Sequence, residues 1–294
     1  MLSVRLRAPA KVNLYLEVCG KRPDGYHDLR MLLAPVSLFD ELSVESLEEP
    51  GRIELLAGDG APAGAPEENL CHRAAKYYLK RAGVQAGARI RLEKRIPAGA
   101  GLGGGSSDAA VTILGLERLF GRELSAEDRA AAAFEVGADV PFFFARSAAW
   151  VEGIGERVVP FPALPALWLL LVYPGAFLST GAVFSALTME LTTPKPAPTM
   201  QLFDFGGVSA GLRNDLQPAA VQLEPAVGEA LSALGRVGAA GTLMSGSGSS
   251  AFGLFPDEES ARAAHDAVSM DWSARGWLVE VVRTLPPGSF PFLS

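Results

Sequence analysis

The chain has 294 residues, 49% hydrophobic and 20% charged, enough apolar content for two packed domains or one large one. Its 32 glycines and 21 prolines fall short of the ~25–30% that marks low-complexity chain, so disorder as the main state is excluded. A formal net charge of -7 argues against a general nucleic-acid binder, which needs a positive surface to displace counterions from phosphates, and leaves room only for a small local basic site.

The opening residues, MLSVRLRAPAKVNLYL, are broken by Arg5, Arg7 and Lys11 and lack the apolar core of a secretory leader. Alternation predicts strands over Ser3–Ala8, Val12–Val18, Leu42–Ser46, Ile53–Leu56 and Arg89–Glu93. Helical spacing runs from Glu67 to Ala82 and from Ser125 to Val136, each stopping at a glycine. Ser125 with Asp128 three residues on resembles a capping box. Strands follow at Ala148–Val151 and Leu167–Tyr173, then helices at Val227–Leu234 and Glu258–Ser269, with strands at Ala251–Phe255 and Leu278–Arg283. The longest apolar run, Ala166 to Tyr173, is far short of the ~20 residues of a membrane-spanning helix. Strands cluster rather than alternate strictly with helices, which favours α+β over a doubly wound sheet. Residues 159–165 carry three prolines and are the expected hinge between halves, and 192–198 reads as an exposed Pro-rich loop. Cys19 and Cys71 cannot form a disulfide framework, and the histidines at 27, 72 and 265 show no zinc spacing. The expected location is the cytoplasm.

The chemistry concentrates in a glycine-rich segment: Pro97, Ala98, Gly99, Ala100, Gly101, Leu102, Gly103, Gly104, Gly105, Ser106 and Ser107. Five glycines let the backbone approach a ligand closely. Behind them Ala109, Ile113, Leu116 and Phe120 fall on one helical face, with Ser106 or Ser107 placed to cap that helix. A loop of this kind aims free N–H groups and the positive end of a helix dipole at one point, which suits phosphate. Gly99, Gly101 and Gly104 match G-x-G-x-x-G formally, but the extra glycines fit a broad loop better than a dinucleotide turn. No G-x-x-x-x-G-K-[ST] is present, nor the HRD and DFG triplets of protein kinases. A second small-residue cluster, Met244 to Gly248, runs into an apolar strand and would allow two backbones to approach.

Four further residues stand out by context. Asp139 lies among apolar residues in GADVPFFF, and a buried carboxylate needs a cation, hydrogen bonds or a chemical role. A structural cap or ion pair is its alternative reading. Lys11 sits between small and apolar residues in a chain with six lysines and twenty arginines; its alternative is an edge-strand gatekeeper. Tyr26 and His27 leave a Pro-Asp-Gly turn carrying stacking and hydrogen-bonding groups, a pair that alone would read as packing. Together the acid, the lysine and the phosphate loop suggest phosphoryl transfer.

Lys94 to Ala110, KRIPAGAGLGGGSSDAA, resembles the phosphate loop of the GHMP small-molecule kinases. Ala8 to Leu14 and Gly20 to His27 are similar to blocks of the branch that phosphorylates a cytidylated methylerythritol in non-mevalonate isoprenoid synthesis. Gly137 to Phe143, Asn214 to Leu216 and Met244 to Gly248 also resemble family blocks, in the right order. The resemblance implies an α+β, two-domain GHMP kinase fold with the active site in the cleft between lobes, divided here as 1–158 and 159–294. It implies ATP on the loop from Pro97 to Ser107, with Mg2+ accompanying the nucleotide and no metal ligand assigned to the protein. It implies Asp139 as base, Lys11 beside the accepting hydroxyl and transferred phosphate, and Asn13 as a helper in substrate placement. Tyr26, His27 and Phe184 resemble the groups that bind cytidine. Gln217 stands where an acid is common, and Ser249 to Ala251 is an unusual ending for the last glycine loop. The implied partner is a small molecule, with no nucleic acid or membrane, and the oligomeric state stays open. The competing readings are a homoserine or mevalonate kinase and a non-catalytic binding protein on the same fold.

Overall fold

The computed structural model describes residues 3–58, 65–187 and 204–293, so the Pro-rich segment 192–198 lies outside the described residues. The chain opens with two long strands, β1 (Ser3–Lys21) and β2 (His27–Leu47), paired antiparallel. Alternation predicts two short strands where β1 is continuous, because residues 8–18 are covered on both faces and the pattern of two disappears. The same cause hides the first half of β2, where Met31 to Val36 are all buried. Pro9 is tolerated inside β1 because the register shifts between Pro9 and Ala10, a bulge where no ladder donor is needed.

After β3 (Ile53–Ala57), helix α1 (Leu70–Arg81) begins at Asn69, whose side chain accepts the Cys71 N–H. β4 (Gly87–Glu93) leads through the glycine-rich loop into α2 (Gly104–Phe120). That helix starts earlier than a serine cap requires: Gly103 is its N-cap at φ +67°, and Ser106 and Ser107 lie in its first turn. Ser125 caps α3 (Ala126–Glu135) by accepting the Asp128 N–H at 3.1 Å, as the sequence spacing predicts. α4 (Val140–Phe144), β5 (Ala149–Gly153) and β6 (Arg157–Pro160) complete the first half. β6 pairs with β5 and runs across residue 158; the expected hinge therefore begins inside a strand, and 161–167 makes the connection to the second sheet.

The second half runs β7 (Trp168–Tyr173), α5 (Thr180–Ser185), α6 (Phe205–Ala210), β8 (Arg213–Asn214), α7 (Gln217–Leu223), α8 (Pro225–Arg236), β9 (Gly241–Met244), β10 (Ala251–Phe255), α9 (Glu258–Ala274) and β11 (Leu278–Arg283). The first sheet has the order β3-β4-β2-β1-β8, with β5 on β2 and β6 on β5; the second has β11-β7-β10-β9. The second sheet is antiparallel throughout, while β3–β4 and β1–β8 are parallel pairs in the first. This is α+β, as the clustering of strands predicts.

Three buried clusters define the layers. Leu6, Leu33 and Val44 pack under Tyr78, Ile113 and Phe142 of the first-half helices. Val12, Leu14 and Leu32 meet Leu169, Leu171 and Phe252 of the second sheet. The far face of that sheet packs on Leu234 and Trp272 of α8 and α9. The middle of β1 therefore lies in the interior of the molecule, and that position decides what its lysine can do.

Candidate active site

Lys11 stands at the centre of β1, opposite Pro35 of β2. Its N–H donates to the Leu102 carbonyl at 2.9 Å, so the glycine loop lies along the other side of the strand. This overturns the edge-gatekeeper alternative. The side chain is 4% exposed, and Nζ donates to Asn13 Oδ1 at 2.5 Å and to the Gly101 carbonyl at 2.9 Å. Burial lowers the Lys11 pKa, while the Asp139 charge, with Oδ2 4.0 Å from Nζ, pushes it back up. Asn13 is fixed from both ends, since its Nδ2 faces Met31 Sδ at 3.5 Å.

Asp139 is less enclosed than its apolar neighbours suggest. Its side chain is 32% exposed because Val140, Phe142 and Phe143 turn into the core and leave the acid at the head of α4, facing the cavity. It makes no side-chain cap bond to that helix. The cap alternative fails; the ion pair with Lys11 holds.

The glycine loop depends on left-handed backbone at Gly99, Gly101 and Gly103. At Gly101 the need is steric as well, since a Cβ would fall 2.2 Å from the Ser245 carbonyl oxygen. The second small-residue cluster makes the close approach its composition predicts: Ser250 N–H donates to the Ala100 carbonyl at 3.1 Å, and Ser245 Oγ to that of Gly101 at 2.9 Å. Asn214 Nδ2 reaches the Met244 and Gly246 carbonyls, both at 2.8 Å. Gln217 Oε1 accepts the Met244 N–H at 3.0 Å, so the amide at this position keeps an acceptor in place. With no side chain capping α2 at Gly103, its first turn offers free N–H groups to an anion.

A cavity of about 950 Å³ joins these parts. Its wall holds Lys11, Asn13, Tyr26, His27, Asp139, Phe184 and the loop from Pro97 to Ser106. Ser107 lies beneath that wall, fully buried, and its Oγ has no hydrogen-bond partner. Tyr26 is 62% exposed, whereas His27 and Phe184 stack with ring centroids 4.9 Å apart and 18° between planes. Burial, and then the charge of Lys21, lower the His27 pKa and favour its neutral form.

The structure adds residues that sequence reasoning missed. Phe177, 74% exposed, covers Gly99 closely enough that a Cβ there would fall 2.7 Å from its ring. Thr180 and Ser247 join across the cavity rim with oxygens 2.9 Å apart. Behind the loop, buried Lys94 donates to Asp40 Oδ2 at 2.5 Å and Asp108 Oδ2 at 2.8 Å. Asp40 Oδ1 also accepts the Arg95 and Ile96 N–H groups, anchoring the chain where it enters the loop. Among the described residues no group of three or more His, Cys, Asp or Glu gathers to hold a metal, and no helix is long and apolar enough to cross a membrane.

Comparison with known proteins gives matches along the chain. Residues 69–146 match the family described as GHMP kinases N terminal domain, and 198–273 match GHMP kinases C terminal. A 4-diphosphocytidyl-2-C-methyl-D-erythritol kinase of Geobacter sp. (strain M21) is 42% identical over 97% of this chain and 100% of its own. The enzyme of the same name from Citrifermentans bemidjiense is also 42% identical with the same coverage. A crystal structure of 4-(cytidine 5'-diphospho)-2C-methyl-D-erythritol kinase superposes with a TM-score of 0.78 at 39% identity, over 95% of this chain and 98% of that one. Homoserine kinase from Cytophaga hutchinsonii shares the fold, with a TM-score of 0.74 at 23% identity over 98% and 96% of the two chains.

Proposed function

The chain belongs to the 4-diphosphocytidyl-2-C-methyl-D-erythritol kinases, a branch of the GHMP kinases, and from that premise we propose how its site divides the work. The protein is a phosphotransferase with an alcohol acceptor, serving isoprenoid precursor synthesis by the non-mevalonate route. The acceptor is the 2-hydroxyl of the cytidylated methylerythritol, and the donor is ATP. The homoserine and mevalonate readings have only a shared fold behind them, at 23% and 14% identity.

The donor phosphates lie on the loop from Pro97 to Ser106, against the uncapped first turn of α2. Ser107 supports this turn from beneath. Mg2+ accompanying the nucleotide would offset phosphate charge there, beside the loop from Pro97 to Ser106. Asp139 takes the proton of the accepting hydroxyl, a role that suits a carboxylate open to the cavity and not committed to a helix cap. Lys11, held by Asn13 and the Gly101 carbonyl, keeps its ammonium between Asp139 and the loop, where it offsets charge on the migrating group. Asn13 fixes that ammonium and helps seat the acceptor. Tyr26, His27 and Phe184 hold the cytidine end, so binding energy gained far from the reacting hydroxyl positions it. The two lobes are taken to divide in the connection 161–167, and the enzyme to work in the cytoplasm.

One observation carries this reading: the acid–lysine pair, the glycine loop and the three rings open onto one cavity. The test is ATP consumption across a panel of cytidylated methylerythritol, homoserine and mevalonate. Turnover with the first alone is expected. Equal turnover with homoserine would overturn the assignment of the acceptor.

A further inference from the structure

Two lysines stand on the cavity wall, Lys11 and Lys21. Lys11 is already engaged by Asn13, Gly101 and Asp139. Lys21 is not. It ends β1, is exposed, and among the described residues its ammonium has no ion pair or hydrogen bond. The carboxylates nearest in sequence are taken by another side chain, since Arg22 pairs with Asp24 at 3.1 Å and Asp28 at 3.6 Å.

Its position is set by the hairpin. Lys21 pairs directly with His27 across β1 and β2, so the two side chains leave the same face as neighbours. His27 in turn stacks on Phe184. A flexible cation therefore stands beside the rings that hold the cytidine end. A nucleoside diphosphate brings two negative phosphates next to its base. The α2 N-terminus is committed to the donor, and Lys11 is buried deeper at the acid. An unpaired lysine at the ring end is what remains to meet the second anion.

We propose that Lys21 recognises the diphosphate bridge of the acceptor and so separates a cytidine diphosphate from a cytidine. The proposal rests on Tyr26, His27 and Phe184 receiving the cytidine end. A lysine suits this task as a mobile point charge on a long stem that follows the bridge as the acceptor settles.

The experiment measures binding of CDP and of cytidine to the full chain by calorimetry, for wild type, Lys21→Met and Lys21→Arg. Lys21→Met keeps the apolar stem and removes the charge. The expected result is an affinity for CDP lowered about tenfold in Lys21→Met and restored in Lys21→Arg, with cytidine and ATP affinities unchanged. The loss should shrink as salt is raised, because an ion pair made by an exposed lysine is screened; a purely structural role for Lys21 would not follow ionic strength. If CDP binds wild type and Lys21→Met alike while cytidine still binds, the lysine proposal falls and the ring reading stands. If neither ligand binds wild type, the ring reading fails and takes this proposal with it.

Discussion

The Lys11 ammonium and the Asp139 carboxylate stand 4.0 Å apart, yet one side chain is 4% exposed and the other 32%. The cation is held by the protein and the acid by the cavity. Asp139 can therefore exchange a proton with something bound there while its ion pair with Lys11 stays in place. Asp139→Asn keeps its size and removes the base, so turnover should fall by ~100-fold or more while acceptor and ATP binding persist. Steady-state kinetics with calorimetry checks this; near wild-type turnover would leave Asp139 only an ion-pair partner.

The same pair makes a prediction about Lys11. Burial puts its folded pKa below the ordinary lysine value of 10.5, with Asp139 opposing. Between the folded and unfolded values the unfolded chain holds the extra proton, so this group adds stability as pH rises through that interval. Removing the opposing charge with Asp139→Asn should lower the Lys11 pKa further and extend the interval downward. NMR titration of the lysine side chains would read the shift, and an unmoved Lys11 would show that the carboxylate is too well screened to matter. Lys11→Met should lower turnover with the fold intact.

Gly101 joins the two small-residue loops. Gly101→Ala would set a methyl 2.2 Å from the Ser245 carbonyl at φ +76°, where no flexible side chain can yield. We expect a loss of roughly 2 kcal/mol or more in stability and weaker ATP binding, since the donor loop must lift off its neighbour. Gly105→Ala is the control. Its Cβ would meet only Leu70 Cδ1 at 3.4 Å, so unfolding midpoints should separate the two variants.

Tyr26 is open at the cavity edge while Phe184 already stacks on His27. Tyr26→Ala should cost roughly ten- to a hundredfold in kcat/KM for the cytidylated acceptor, on the scale of ~1–3 kcal/mol for base–aromatic stacking, with ATP affinity unchanged. An equal loss in ATP affinity would place Tyr26 outside the acceptor site.

Much of this site was legible because its parts are local. The glycine run, the block around Asp139 and the Gly-Tyr-His turn each announce themselves within a dozen residues. Ser125 capping α3 follows from spacing alone. What sequence missed was long-range or two-sided. The first half of β2 loses alternation because helices cover one face and the second sheet the other. Lys94 is visible beside the loop, but its partner Asp40 lies more than fifty residues away, on β2. Phe177 reaches Gly99 from another segment, and neither local pattern points to the other.

The buried trio behind the loop gives a stability test. Asp40 accepts from Lys94 and from the Arg95 and Ile96 N–H groups, whereas Asp108 Oδ1 has no partner. Burial pushes Asp108 up to about 8 from 3.8, with Lys94 opposing and Asp40 adding. Across that window the folded chain holds a proton the unfolded chain has released, so stability falls as pH rises toward 8 and levels off above it. Asp108→Asn has no such proton. Its melting temperature should gain on wild type as pH rises from 5 to 8, and a constant gap would show that Asp108 is ionised. Asp40→Asn should cost about 3–5 kcal/mol, because it leaves Lys94 charged and under-bonded in the interior.

The two-residue strand β8 reaches back from the second half to lie along β1 at Tyr15 and Leu16, and Asp215 beside it accepts the Val18 N–H at 3.0 Å. The neighbouring Asn214 bonds the loop that braces Gly101. A gene cut between the two sheets would therefore give an amino-terminal fragment whose β1 has a bare flank there, open to pairing with a second fragment. Its donor loop would also have lost its backing. Supplying the missing half in trans should restore both defects together, so solubility and nucleotide binding would return as one event. The cleft is thus shared: the donor loop belongs to the first half, and the backing that holds it in place belongs to the second.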